Sequence, residues 1–314
     1  MSEPTRLLGA AGHGVLAPAA SILSKAEAQS LVERALRLSR ADAARVSIQN
    51  SRETNLRFAD NQVSTSGATS STSIRIQSVF GKRKASVVTN NRTDDGLKRA
   101  VEQSEALARL APEDPEYLGE LGPQQYASIP AWFDSTAELS AEDRARAALN
   151  ALAPARAAKD ITVAGFLVCS AGATALGNSA GLFAYHRSTT ANYTLTVRTA
   201  DGTGSGWAGT EHNDWKQVDF EAVAARAIAK ARSSRNPVAV EPGRYTVLFE
   251  PEATGDLVPL MGGALQARAA EEGRSAFSRQ GGTKLGEKIM DERVSLVSDP
   301  ADPLILGSPF DGEG

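Results

Sequence analysis

Apolar positions along this chain switch between a helical period and a period of two, and they do so in an order that occurs twice. Ser24 with Glu27 three residues on makes a capping-box pair, and Ala28, Leu31, Val32, Ala35 and Leu36 follow at helical spacing, predicting a helix over 25–38. Beyond it, Val46 and Ile48, Leu56 and Phe58, Ile74 and Ile76, then Val87 and Val88 mark short alternating stretches with Asn, Asp, Gly and Ser between them. That pattern predicts an antiparallel meander. A second helix is expected over 94–110, capped by Thr93, with Leu97, Val101, Ser104 and Ala108 on one face and Pro112, Asp114 and Pro115 ending it.

After a linker rich in Gly, Pro and Gln, the same order starts again. Ser140 with Asp143 caps a helix running through Ala157, strands are expected over 161–169, 183–186 and 193–198, and Asp219 caps a helix over 220–231. RFADNQVSTSGATSSTSIRI in the first unit compares with ALGNSAGLFAYHRSTTANYTLTV in the second, a weak internal repeat of helix, meander, helix. The remaining chain reads differently. Pro242-Gly243 precedes RYTVLF, a strand expected over 244–249, and Pro251 opens a helical pattern through Glu271 that Pro259 and Gly262-Gly263 should interrupt. The fold class is therefore α+β, with repeated helix/antiparallel-meander/helix units followed by an incomplete, mainly β C-terminal domain. The segments expected are a flexible tail over 1–22, an N-terminal α+β domain over 23–111, a linker over 112–134, a central α+β domain over 135–238 and a partial C-terminal domain over 239–314.

Composition narrows the function classes. The chain's 314 residues allow two or three domains with sizeable cores, and 34 Lys and Arg against 37 Asp and Glu leave a net charge of -3, which gives no electrostatic footprint for nucleic acid or an anionic membrane. No apolar run is long enough to cross a bilayer. Arg6 followed by LLGAAGHGVLAPAASIL has the outline of a signal peptide, but Glu3 precedes the positive charge and His13, Gly14 and Pro18 interrupt the apolar run, so a tail is expected instead. Cys169 is the single cysteine and cannot form an internal disulfide, which is compatible with a reducing cytoplasm, the expected location.

Several short patterns could carry chemistry, and each has a plainer reading. Gly177-Asn178-Ser179-Ala180-Gly181 matches a nucleophile elbow, yet the residues after it alternate like a strand, so a hairpin turn is expected. Gly204, Gly206 and Gly209 fit a dinucleotide fingerprint but open no helix, and a flexible loop is expected there. Cys169 with His186 could form a thiolate and base, but Cys169 ends the apolar run FLVC and is expected in the core. His186 and His212 with Glu211 and Asp214 lack metal spacing, and Asp299, Asp302, Asp311 and Glu313 lack the regular spacing of a calcium site. No catalytic residue and no metal ligand is assigned to this chain.

PGRYTVLFEPEA, GRSAFS, KLGEKIMDERVSLVSDP and GSPFDGEG occur in that order over the last quarter of the chain. Together they resemble the third domain of the TldD/PmbA (TldE) family, and the resemblance extends less specifically back to about residue 45. It implies a metallopeptidase family in which metal-bearing members carry a His-Glu-x-x-x-His helix just before the segment matching GRSAFS, with two histidines on one helical face for zinc and a Glu as base. Here those histidine positions fall around Val258 and Gly263, and no His follows His212. The resemblance thus implies a metal-free, TldE/PmbA-like subunit with no cofactor of its own. Zinc is expected in a metal-bearing TldD-like paralogue, the partner in a heterodimer or larger assembly acting on unfolded or small peptides. The alternative is a stand-alone peptide- or protein-binding module without catalytic activity; an enzyme using Ser179 or Cys169 is a third reading. A loop after the would-be metal helix should face the same cleft, so Glu272, Arg274, Ser275 and Phe277 are candidate cleft-lining or peptide-binding residues. Arg274 could hold a carboxylate, although an ion pair that fixes the loop is the plainer role. Family members continue past SPFDGEG, so a shortened chain with exposed strand edges is a further expectation.

Overall fold

The structure is a computed structural model that describes residues 21–314; residues 1–20 of the expected tail and of its signal-like outline lie outside the described residues. The first unit runs α1 (Lys25–Leu38), β1 (Ala43–Ala59), β2 (Gln62–Phe80), β3 (Arg83–Thr89) and α2 (Asp94–Leu110). A long connection containing α3 (Asp134–Ala137) leads to α4 (Ala141–Ala157), β4 (Ile161–Asn178), β5 (Phe183–Thr199), β6 (Ser205–His212), a 3-10 turn (Trp215–Gln217) and α5 (Phe220–Ser233). The last segment holds α6 (Pro251–Ala264), α7 (Ala267–Glu271) and the two-residue strands β7 (Ser278–Arg279) and β8 (Gly282–Thr283).

The helices start where their caps place them. Ser24 Oγ accepts from Glu27 N–H and the Glu27 carboxylate accepts from Ser24 N–H, closing the capping box; Thr93, Ser140 and Asp219 accept from Gly96, Asp143 and Ala222 N–H. Each cap satisfies a donor that the first helical turn leaves without a partner.

Both meanders join one six-stranded antiparallel sheet in the order β3-β2-β1-β4-β5-β6. The first strand of each unit meets the other along Arg45↔Asn178 to Phe58↔Gly165, so the strand order mirrors itself about the β1/β4 seam. The strands are longer than the apolar pairs suggest. Val46, Ile48, Leu56 and Phe58 share one strand and one face, because the polar run between them stays extended and hydrogen-bonded to β2 and β4 on both sides. Likewise 183–186 and 193–198 are the two ends of β5.

All four long helices of the two units cover the same face of this sheet. Val46, Ile48, Ile74 and Ile76 pack on Leu31, Val32, Leu97 and Val101, while Leu56, Phe58, Leu167 and Tyr193 pack on Leu152, Val223 and Ala227. Asn50 lies buried between these two cores, where it accepts from Leu23 N–H and donates to Ser71 O and to Thr72 Oγ1, so no polar atom is left unpaired.

Two expectations need correction. Residues 205–209 are not a flexible loop but the start of the edge strand β6, with Gly204 just before it, and the glycines have a packing reason: a Cβ at Gly206 would run into the Ala227 carbonyl and Ala231 amide of α5. Nor does 244–249 form a strand. Its alternating residues have no sheet beside them, so the backbone there finds no ladder to join and Tyr245, Val247, Leu248 and Phe249 stay exposed. In the last segment the regular structure is thus two helices and one two-residue hairpin, with the helical break at Leu265–Gln266, just after Gly262-Gly263. Pro259 is accommodated inside α6.

Candidate functional site

The would-be catalytic groups are dispersed and mostly occupied. Ser179 sits in the β4–β5 turn, where its hydroxyl accepts from Ala44 N–H at 3.1 Å and its own amide donates to Ala44 O at 2.9 Å. It ties the hairpin to the start of β1 and is not presented on a strand-to-helix elbow. Cys169 is buried, and desolvation pushes its thiol up to about 11, so the thiolate is scarce at neutral pH. His186 pairs in register with Thr174 and Cys169 with Ala191, five positions apart along the strand, roughly 17 Å at the usual rise. They cannot act as a pair. His212 Nδ1 accepts from Asp214 N–H, and Asp214 accepts from Ser135 and Lys216, a turn-building network. Asp299, Asp302 and Asp311 each accept from a backbone amide two residues on.

The candidate cluster after α7 is divided. Arg274 pairs with Glu272, which also accepts from Arg268 Nε at 2.9 Å, and these partners hold the Glu272 carboxyl below its ordinary range. Ser275 Oγ donates to Ala264 O and accepts from Phe277 N–H at 3.1 Å, closing the loop back onto the end of α6. Phe277 points elsewhere, into an apolar cleft of about 570 Å³ with Met261, Leu265, Leu285, Met290 and Leu296. Glu272, Arg274 and Ser275 do not line that cleft.

A zinc site does not fit the donors on α6. Val258 and Gly263 supply none, Glu252 and the N-cap residue Glu250 pair with Arg226 and Lys230 of α5, and Asp256 is a lone carboxylate with no His or Cys on the helix beside it. Among the described residues no group of three His, Cys, Asp or Glu is placed to hold a metal ion.

A second cleft, of about 610 Å³, was not anticipated from the sequence. It lies beside the first half of β5, against the 124–132 stretch of the connection, and Tyr126, Trp132, Tyr185, His186, Arg187 and Lys25 are among its walls. Arg187 stacks on the Trp132 ring at 4.6 Å, and the buried Tyr126 hydroxyl and His186 Nε2 have no hydrogen-bond partner. Burial pushes the Tyr126 hydroxyl up and the His186 imidazole down, which keeps both neutral. Only the alternation of β5 was visible beforehand; that β6 stops short of its first half was not.

Fold and donor set together define an α+β protein of two mirrored helix–meander–helix units with a C-terminal helix that brings no metal ligand at the expected positions. The PmbA/TldA metallopeptidase models match over 44–108 for domain 1, 134–235 for the central domain and 242–314 for the C-terminal domain, and the chain belongs to this PmbA/TldD family. No curated protein matches. Three solved structures share the fold. TldE from Thermococcus kodakarensis is 20% identical with a TM-score of 0.59, over 65% of this chain and 47% of that one. A candidate modulator of DNA gyrase from Thermotoga maritima is 15% identical with a TM-score of 0.62, over 68% and 50%. Another from Bacteroides thetaiotaomicron is 18% identical with a TM-score of 0.64, over 78% and 57%. The chain spans about half the length of these relatives. No helix among the described residues is long and apolar enough to cross a membrane.

Proposed function

We propose that this member of a metallopeptidase family serves as the metal-free, TldE/PmbA-like subunit of a zinc peptidase acting on unfolded or small peptides in the cytoplasm. The observation that carries the reading is the donor set of α6, with Val258 and Gly263 where metal-bearing members place histidines, and with Glu252 and the N-cap residue Glu250 committed to α5, which leaves Asp256 as the one remaining carboxylate of the helix. A metal-bearing paralogue supplies the zinc and the base, and this chain contributes a wall of the substrate chamber. Glu272, Arg274 and Ser275 stiffen the loop of that wall, and Phe277 with its apolar neighbours offers contact area.

The test is zinc content and peptide cleavage of the purified chain, alone and mixed with the metal-bearing paralogue from the same source. The reading expects a zinc-free, inactive chain alone and cleavage that depends on both chains together. Stoichiometric zinc or chelator-sensitive cleavage by the chain alone overturns it. Absence of any association selects the stand-alone binding module instead.

A further inference from the structure

On the face of the sheet turned away from the helices, one row of residues changes in chemistry from strand to strand. Thr65 of β2, Arg57 of β1, Phe166 of β4, Thr194 of β5 and Gly209 of β6 are register partners, each opposite the next. Their chain neighbours Leu56, Leu167 and Tyr193 pack on the helix side, and successive side chains alternate between faces, so this row points to the other side. Gly209 shapes the far end of it. A Cβ there would come within 2.8 Å of Trp207 Cη2 and 3.1 Å of Thr194 Cγ2, so the Trp207 ring reclines over the glycine along the sheet. A cation on β1 and an aromatic wall on β6 thus stand about 14 Å apart, three strand spacings, with Phe166 and Thr194 as the floor between them.

The groove so formed holds about 620 Å³. Arg57 is the one charged residue among its walls, and among the described residues this exposed side chain has neither an ion pair nor a stack on a ring. Other strand cations are engaged: Arg45 pairs with Glu120, Lys84 with Asp114, and Arg187 stacks on Trp132. The planar guanidinium offers two parallel donors that match a carboxylate, and Ser64 and Thr65 add hydroxyls on its side. Trp207 is 44% exposed, so a large ring is open to a flat apolar body laid beside it. The groove is also remote from both ends of the described chain. Phe310 and Gly314 pack near Leu176 and Leu182, and Leu176 lies ten residues along β4 from Phe166, roughly 33 Å at the usual rise. Leu23 bonds Asn50, which lies on the helix-covered side.

We infer that this groove binds a small aromatic carboxylate, its acid held by the Arg57 fork and its ring laid over Phe166 and Thr194 against Trp207. The ligand's charge answers a cation that nothing in the described chain neutralises. Its length, one ring on a short chain, answers the spacing between guanidinium and indole. The site lies on the sheet, apart from the C-terminal segment, and does not rest on the peptidase reading.

The probe is 3-phenylpropionate, titrated with the full chain and followed by ligand NMR line broadening, beside the neutral 3-phenylpropionamide and the ringless hexanoate. The amide should bind about tenfold more weakly, because it gives up the charge-assisted pair, and hexanoate about threefold more weakly, because it gives up the ring contact. Arg57→Gln should weaken the acid by about tenfold and bring acid and amide to similar affinity, and Trp207→Leu should weaken it by about threefold. Both side chains are exposed, so neither substitution should move the urea midpoint. Gly209→Ala touches no ligand atom and meets only side-chain ends, so it should lift the Trp207 ring into the groove and cost about threefold in binding with the fold intact. Equal affinity for acid and amide overturns the inference, as does acid binding indifferent to Arg57→Gln or to Trp207→Leu, or no saturable binding up to about 10 mM.

Discussion

The sheet with its four covering helices and the segment after Val238 are built from similar stretches of sequence, and only one of them buries its apolar residues. In the first, Ile48, Ile74, Leu97, Leu152, Leu167 and Tyr193 are all but inaccessible. In the second, Ala270 is the one buried hydrophobic residue, while Leu248, Leu260, Leu285 and Val297 face outward. RYTVLF has at least as much strand character as SVVT of β3, yet β3 has Ile74 to Phe80 of β2 beside it and RYTVLF has nothing. Strand propensity describes how well a residue fits a pleated neighbour, and without the neighbour it specifies little. What ties the segment to the sheet layer is chiefly polar: Arg226 with Glu252, Lys230 with Glu250, Arg268 with Glu116, and Asn213 with Leu306. Tyr126 on Phe310, with rings 5.3 Å apart, is an apolar exception.

The largest expected effect separates the two regions by matched truncations. Leu152→Ala removes a fully buried side chain between α4 and the sheet and should cost about 2–5 kcal/mol in urea unfolding. Leu260→Ala, at 75% exposed, should stay within about 0.5 kcal/mol. Similar costs at both positions would mean that α6 is packed as the sheet helices are, and the contrast would fail.

Next in size is Gly206→Ala. Because the obstructing atoms belong to the α5 backbone, the added methyl cannot be relieved by turning a side chain, and a loss of about 1–3 kcal/mol is expected. Tolerance of the methyl would show that α5 does not lie so close on β6.

The alkaline limb of stability should also belong to the sheet region. Burial raises the Cys169 thiol from an ordinary 9.0 to about 11, so between those values the unfolded chain gives up this proton while the folded chain keeps it. Binding fewer protons when unfolded, the protein loses stability as pH rises through that window, and the contribution is fully present below it. At pH 10 the Cys169→Ala variant should lack about 1 kcal/mol of that decline, measured as a difference between its urea stabilities at pH 8 and pH 10. A decline unchanged by the substitution would place the thiol in contact with water.

How much of this could be read beforehand depended on where the information sits. Helix starts are local: Ser24, Thr93, Ser140 and Asp219 each bond an amide three residues on, so the caps announce themselves in the sequence. The repeated helix, meander, helix order of the units was also legible, through the repeated switch of periods, whereas their joining into one mirrored sheet was not. Strand lengths were not, because Asn50 to Asn55 looks like a loop until β2 and β4 are laid on either side of it. The glycines of β6 misled for the same reason, since the helix that demands them arrives about twenty residues later. At the site, the pairing of Arg274 with Glu272 was foreseeable from neighbouring charges, whereas the β5 cleft arises from a mismatch in length between two strands and has no signature in either.

The smallest effect tests the contrast most finely. Nothing lies within 4 Å of a Cβ built on Gly263, so Gly263→Ala adds no clash and should favour the α6 helix by about 0.8 kcal/mol through backbone entropy alone. Were α6 part of the sheet's cooperative unit, that gain would appear in the global unfolding midpoint. Its apolar residues are exposed and its ties to α5 are ion pairs at the surface, each worth little, so α6 should instead open by itself while the sheet stays folded. The substitution should then leave the urea midpoint where it was and slow amide exchange within α6 by about fourfold, the same free energy expressed locally. A raised midpoint would join the two regions into one folding unit.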